Sequence, residues 1–386
     1  MLNQYPPRRR LTRLDGKRGP FISASPSPES PPMASPSSPR SSTESPQTAS
    51  HEHPPTYLSS PIEETLHLKD LELMIHWCTT TCKTMARGPS AERLWQITIP
   101  QLSLRYPSLR QGLLALSALH LASTSTPSLR RRYLERARAH QANALSGLRI
   151  DSEDAPESQS QATFALCCIM IVFPFGYRHV ESEMTPDSDA EHRDTLDEFF
   201  EVFQLTRWLV NIMMKSADRI AGSELNPLVE REDPPATMPD MSRLVVFSLL
   251  QQNGMEAMRD TTHEKKIYDA AIEHLSNALK QLMKGGEPHA FAFYWCFRIP
   301  EEFLELLEAR RPFALVVIAH YAVILHHLRD EWWMGDWGAQ ILKEIGDLLE
   351  PQWQELISWP IDATGCFLPR VEVRARVIPT VSPLEV

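Results

Sequence analysis

The chain has 386 residues, 42% hydrophobic and 23% charged, with a formal net charge of −10. That length holds one large or two ordinary domains. Only 14 glycines argue against Gly-rich phosphate loops, and an acidic body is a poor binder of phosphate backbones, because like charges repel.

The first 60 residues differ from the rest. They carry twelve of the 32 prolines, and seven basic residues against four acidic ones, a balance of +3 that leaves −13 for the remainder. Almost nothing in this Pro/Ser-rich text could bury surface, so residues 1–62 are expected to be disordered. Its cluster of Arg8, Arg9, Arg10, Arg13, Lys17 and Arg18 reads either as a nuclear-import or phosphate-contacting patch or as a solubilising tail. No apolar signal segment follows the N-terminus, so a nuclear or cytoplasmic protein with reduced thiols is expected.

From residue 63 to 365 the apolar period is helical, and the expected class is all-α. The spacing predicts helices over 68–86, 106–123, 127–149, 158–173, 191–220 and 240–258, then over 263–284, 300–310, 312–330, 338–350 and 351–358. Leu71, Met74, Ile75, Cys78 and Cys82 form the expected inner row of the first. Pro107 and Pro127 stand at first-turn positions, and the Arg-rich face of 127–149 should be solvated.

The run "ALVVIAHYAVILHH" at 314–327 poses a sharper question. About fourteen apolar residues from Pro312 to Leu325 fall short of the about twenty that span a bilayer, so no membrane span is expected and a buried core helix is. His320 and His327 are seven apart, not the i, i+3 or i, i+4 of helical metal sites. No metal ligand set and no cofactor are expected. Next comes "DEWWMGDWGAQ", where Trp332, Trp333 and Trp337 either lock one helix end onto the next or wall an apolar cavity. Gly335 is the expected helix stop.

Catalytic patterns are missing: no GxGxxG, no phosphate-binding P-loop and no nucleophile elbow. Asp194, Asp197 and Glu198 form a DxxDE run that resembles the diphosphate-binding motif of helical terpene synthases. The second ligand set of those enzymes is missing, and Leu196, Phe199, Phe200 and Phe203 explain the segment as an amphipathic helix. The cysteine pairs 78/82 and 167/168 read as small buried thiols.

The blocks "LELMIHWCTTTCKTM", "LWQITIPQLSLRYPSLRQGLLALSALHLA" and "RRYLERARAHQANALSGLR", with "PEEFLELLEARRPFALVVIAHYAVILHHLRDEWWMGDWGAQILKEI" and "LEPQWQELISWP", resemble the regulatory domain of fungal zinc-cluster transcription factors, closest to the sterol uptake control group. The resemblance brackets residues 71–360. It implies a helical regulatory domain with an apolar core cavity, in which a sterol or other apolar small molecule switches transcription of lipid or secondary-metabolite genes. It also implies a nuclear and cytosolic location, and a homodimer or a protein partner. If that cavity exists, Ala319, Trp332 and Trp333 are its expected lining. The alternative is a protein that binds no DNA itself and modulates intact zinc-cluster factors by dimerising with them. One departure stands out: the six cysteines, with 3, 84, 0, 127 and 69 residues between them, cannot build the compact binuclear zinc cluster with which the family reads DNA. DNA contact is therefore expected only through a partner or through a cluster encoded upstream. Residues 366–386 lie outside the resemblance.

Overall fold

The computed structural model describes residues 61–86, 89–148, 156–184, 195–229, 240–282 and 288–366. All of them fall in one compact unit, 59–386. They form helices and turns, with no strand among the described residues, so the all-α reading holds.

Helix α1 (Pro61–His76) runs into a π turn, Trp77–Thr81, and a last turn, Cys82–Thr84. A second π turn, Leu94–Thr98, lies between the short helices Pro89–Arg93 and Ile99–Ser103. The two π turns pack together. The Trp77 indole donates to the Trp95 carbonyl at 2.8 Å, and the Gln96 amide donates to the Cys78 carbonyl at 3.0 Å. These bonds use carbonyls in a stretch where a π turn disturbs the i→i−4 ladder. The inner row of α1 differs from the expected one: Leu73, Trp77, Thr81 and Cys82 are buried, whereas Leu71 and Ile75 are more than half exposed. Trp77 is larger than any member of the expected row and sets the buried face at Leu73 and Trp77, by the start of the π turn; the extra residue of that turn shifts only the side chains that come after it.

Helices α2 (Pro107–Thr124) and α3 (Pro127–Ser146) form a hairpin, each with proline in its first turn. Only Leu134, Ala137 and Ala144 of α3 are buried; Arg131, Arg132 and Arg138 face outward as expected, whereas Arg130 and Arg136 are half-buried and donate to the carbonyls of Ala122 and Lys69. Helix α2 packs also on α4 (Glu157–Ser182), and α4 on α5 (Thr195–Ile220). Pro174 was expected to lie beyond the end of its helix, yet α4 continues for eight residues past it. Phe173, Phe175 and Gly176 on either side are buried, and this packing outweighs the missing hydrogen bond. By length and composition α4 could cross a membrane, but its apolar stretch is mostly buried inside the helical body.

The second half comprises α6 (Asp240–Arg259), α7 (Lys265–Leu282), α8 (Pro288–Arg298), α9 (Glu301–Glu308), α10 (Pro312–His326), α11 (Trp337–Leu348) and α12 (Ser358–Thr364). Helix α8, "PHAFAFYWCFR", has no polar face and so no period to betray it in the sequence. Helix α10 is central, packed against α7, α8, α9, α11 and α12. It ends at His326, earlier than expected, and turns fill 327–336. Gly338 lets α11 cross close: a Cβ there would sit 2.6 Å from the Ala322 carbonyl and from the His326 nitrogen. Hydrophobic residues from both halves join one core.

Candidate functional site

The α10 run is core. Every residue from Phe313 to Leu325 is buried. His320 donates from Nδ1 to the Val316 carbonyl at 2.8 Å, and its ring stacks on Trp359 at 5.7 Å. Burial pushes its pKa down to about 4, so it is neutral at pH 7. Beside it the Tyr321 hydroxyl donates to the Ala292 carbonyl at 2.8 Å, with the Cys296 sulfur 3.1 Å from the same oxygen. His327 bonds back to Val323 in the same way as His320 to Val316. Among the described residues no group of three or more His, Cys, Asp or Glu is placed to hold a metal ion.

Of the three residues expected to line a cavity, Ala319 is wholly buried and Trp333 is 1% exposed. Trp333 reaches its place because α4 carries Gly176, where a Cβ would lie 3.0 Å from the Trp333 Cβ. Its ring meets Phe175 and Phe293, and the neighbouring Trp337 donates its indole N–H to the Phe175 carbonyl at 3.2 Å. Gly335, at φ +51°, is the turn residue that admits the His179 ring, which fills the space a Cβ would need.

Trp332 behaves differently. It is half-buried, and it leaves the α4 side to stack on His120 of α2, centroids 4.6 Å apart and planes at 22°. His120 in turn meets His76 of α1 at 5.2 Å, and its Nδ1 lies 3.1 Å from the hydroxyl of Thr81, carried by the first π turn. Three rings from three parts of the chain thus form one column. Burial and the neighbouring His76 hold the His120 pKa down at about 4; burial lowers that of His76 too, partly offset by Glu72. Both imidazoles are neutral at pH 7. Yet His76 Nε2 and Trp332 Nε1 are buried with no partner among the described residues, and so is Ser117 Oγ, one turn before His120. His76 and His120 were not singled out by sequence; only the tertiary fold brings them to Trp332.

A half-open cleft of about 250 Å³ lies elsewhere, where Tyr106, Ser108 and Leu109 at the start of α2 face Gly147, Gln159 and Leu166. It falls short of the 300–1,000 Å³ of ordinary small-molecule sites. The carboxylates of the DxxDE run are engaged: Glu198 pairs with Arg178 and Asp197 with Arg310, each at 3.0 Å. Asp194 lies outside the described residues, as do Arg8, Arg9, Arg10, Arg13, Lys17 and Arg18. None of the six cysteines is in a disulfide, and burial raises the pKa of Cys78, Cys82 and Cys296.

Comparison with known proteins agrees with the absence of a catalytic pattern. Residues 72–210 match the family described as "Fungal specific transcription factor domain". A "Zn(2)-C6 fungal-type transcription factor" of Gibberella zeae is 24% identical over 324 residues, covering 78% of this chain and 63% of that protein. "Sterol uptake control protein 2" of Saccharomyces cerevisiae is 34% identical over 108 residues, 28% of this chain and 11% of that one. Its namesake in Candida albicans is 34% identical over 76 residues, 18% and 11% of the two chains. The chain spans less than two thirds of the length of these curated relatives. The matched family and the Gibberella zeae relative are transcription factors by description, and residues 72–210 of this chain are similar to a fungal specific transcription factor domain.

Proposed function

We propose that this chain is a transcriptional regulator acting in the nucleus, and that its helical body is the sensing and regulatory part. The observation that carries the reading is the family match over 72–210, continued by a zinc-cluster relative over 78% of the chain. In this reading residues 1–62 are a basic, Pro/Ser-rich head, 63–365 the regulatory domain and 366–386 a tail outside it. The regulated genes belong to lipid or secondary metabolism, as the names of the sterol uptake relatives suggest. An apolar small molecule is sensed in a cavity lined by Ala319, Trp332 and Trp333. Arg8, Arg9, Arg10, Arg13, Lys17 and Arg18 serve nuclear import or phosphate contact. DNA is reached through a partner or an upstream cluster, since the six cysteines here are scattered through the helical body.

A second reading, modulation of a partner factor by dimerisation, is favoured by two exposed apolar rows. Leu68, Leu71 and Ile75 line one on α1, and Leu244, Phe247, Leu250 and Met258 another on α6. The full chain fused to a heterologous DNA-binding domain tests the main reading at a reporter gene. A change in transcription that depends on an apolar supplement is expected. A fusion that reaches the nucleus and leaves the reporter untouched under every supplement would overturn the sensing role. If the chain then co-purifies with an intact zinc-cluster factor, the partner reading takes its place.

A further inference from the structure

Helix α6 packs with its inner face on α7. Val245, Leu249 and Asn253 are buried on that face. The Asn253 amide donates to the Lys265 carbonyl at 3.0 Å and to the Asp269 carboxylate at 2.8 Å, and its oxygen lies 2.6 Å from His263 Nε2. These bonds fix how α6 is turned about its axis. At about 100° per residue, Leu244, Phe247, Gln251, Gly254 and Met258 then form one stripe on the opposite side, with the 3, 4, 3, 4 spacing of a helix seam.

Leu244, Phe247 and Met258 are 62%, 66% and 84% exposed. Three large apolar side chains in line on one surface mark a place of contact with another molecule. Gly254 stands among them. Glycine inside a helix destabilises it relative to alanine, and a Cβ at this position would meet no atom within 4 Å. The packing of the chain itself therefore does not call for a glycine here. A large side chain arriving from outside does.

The stripe is complementary to itself. Its one ring, Phe247, and its one gap, Gly254, lie seven residues apart on either side of the stripe's midpoint. When two copies of α6 run antiparallel about a two-fold axis between Leu250 and Gln251, Phe247 of each copy lies over Gly254 of the other. Leu244 meets Met258 of the other copy. The two Gln251 side chains meet near the axis, where each amide can both donate and accept. The exposed Arg243 comes beside the exposed Asp260 of the second copy. A parallel pair would set ring on ring, gap on gap and Arg243 on Arg243.

We infer that α6 is a self-association surface, through which two copies of this chain pair antiparallel with Phe247 of one seated on Gly254 of the other. The seam runs only about 21 Å from Leu244 to Met258, shorter than an interface of standard size needs, so the pair forms and parts with concentration in the micromolar range. The inference assigns the α6 row to a second copy and leaves the α1 row to the partner factor of the second reading. It does not rest on small-molecule sensing.

Sedimentation equilibrium of the full chain from about 1 to 100 μM tests it. The mass should rise from 44.0 kDa toward twice that value. Gly254→Leu should raise the dissociation constant at least about tenfold, because the new side chain occupies the seat of Phe247. Thermal unfolding of the same variant, diluted to monomer, should move upward or stay, since leucine is the better helix former and the site is open. Phe247→Ala should weaken the pair comparably. Arg243→Asp should weaken it about threefold, and Arg243→Asp combined with Asp260→Arg should restore it. A chain that stays monomeric at the highest concentration overturns the inference and gives the stripe to a different protein. A dimer that Gly254→Leu and Phe247→Ala leave intact forms elsewhere and overturns it as well. If Arg243→Asp strengthens the dimer, the helices run parallel and the seating of Phe247 on Gly254 is wrong. None of these outcomes decides the reporter test of the sensing role.

Discussion

Among the described residues histidine stacks on tryptophan twice. His320 lies on Trp359 at 5.7 Å, and His120 lies on Trp332 at 4.6 Å. Both imidazoles are buried and both are held near a pKa of about 4 by the loss of water around them. They differ in how their surroundings are completed. His320 bonds to its own helix at Val316, and the polar atoms beside it, on Tyr321 and Cys296, are partnered. Around His120, atoms of Trp332, His76 and Ser117 are not. Burial and a depressed pKa therefore do not distinguish a core histidine from one at a candidate site; completeness of hydrogen bonding does.

The largest test of this contrast lies in the adjacent tryptophans. Trp333 is sealed against Phe175 and Phe293, so Trp333→Ala should cost about 3–5 kcal/mol in urea unfolding. Trp332→Ala removes a half-buried ring and one stacked pair, and should cost only about 1 kcal/mol. Equal losses would mean that Trp332 is as much a core residue as its neighbour.

Acid gives the next largest effect. The pKa of folded His320 lies below the ordinary 6.5, so between these values the unfolded chain holds the extra proton. Its contribution is full above pH 6.5 and is lost as pH falls toward 4, by about 3 kcal/mol. His320→Phe should flatten that part of the stability–pH curve, whatever it does to stability at pH 7. His120 titrates in the same window, but it sits in a column whose outer rings are half-exposed, so His120→Phe should flatten the curve less. The reverse order would undo the contrast between the two stacks.

A third test concerns how the first core is tied to the second half. Arg207 of α5 donates to the carbonyls of Cys296 and Ile299, at 3.0 and 2.7 Å, at the end of α8. Arg207→Met keeps most of the stem and should cost about 2 kcal/mol in urea unfolding, because carbonyls at a helix end lose a charged donor. A cost near zero would show water replacing the guanidinium freely.

Legibility in the sequence divides along the same line. The α10 segment was legible because it is apolar on every side and too short for a bilayer, and its histidine reads as core for the same reason. Helix α8 was not, since a run such as "AFAFYWCF" has neither period. The inner face of α1 differs from the expected one because two rows compete in its sequence, Leu71 with Ile75 and Leu73 with Trp77, and the larger Trp77 takes the core. The Trp332–Trp333 pair was legible as important and illegible in role, since adjacent residues on a turn can point to opposite neighbours. His76 and His120 are 44 positions apart and more than 200 from Trp332, and nothing local announces their meeting.

The smallest effect is the most discriminating. Trp332→Phe deletes one N–H and keeps a ring over His120, so the stability change should stay within about 0.5 kcal/mol. In an ordinary core, removing a buried donor strands the acceptor it served, and that stranded partner is what makes such changes costly. Here no acceptor among the described residues is stranded. Near-neutral stability in Trp332→Phe, set beside a measurable loss in Trp337→Phe, whose indole serves the Phe175 carbonyl at 3.2 Å, would separate an N–H held in reserve from one that holds the fold. Equal losses in the two variants would place Trp332 with the core.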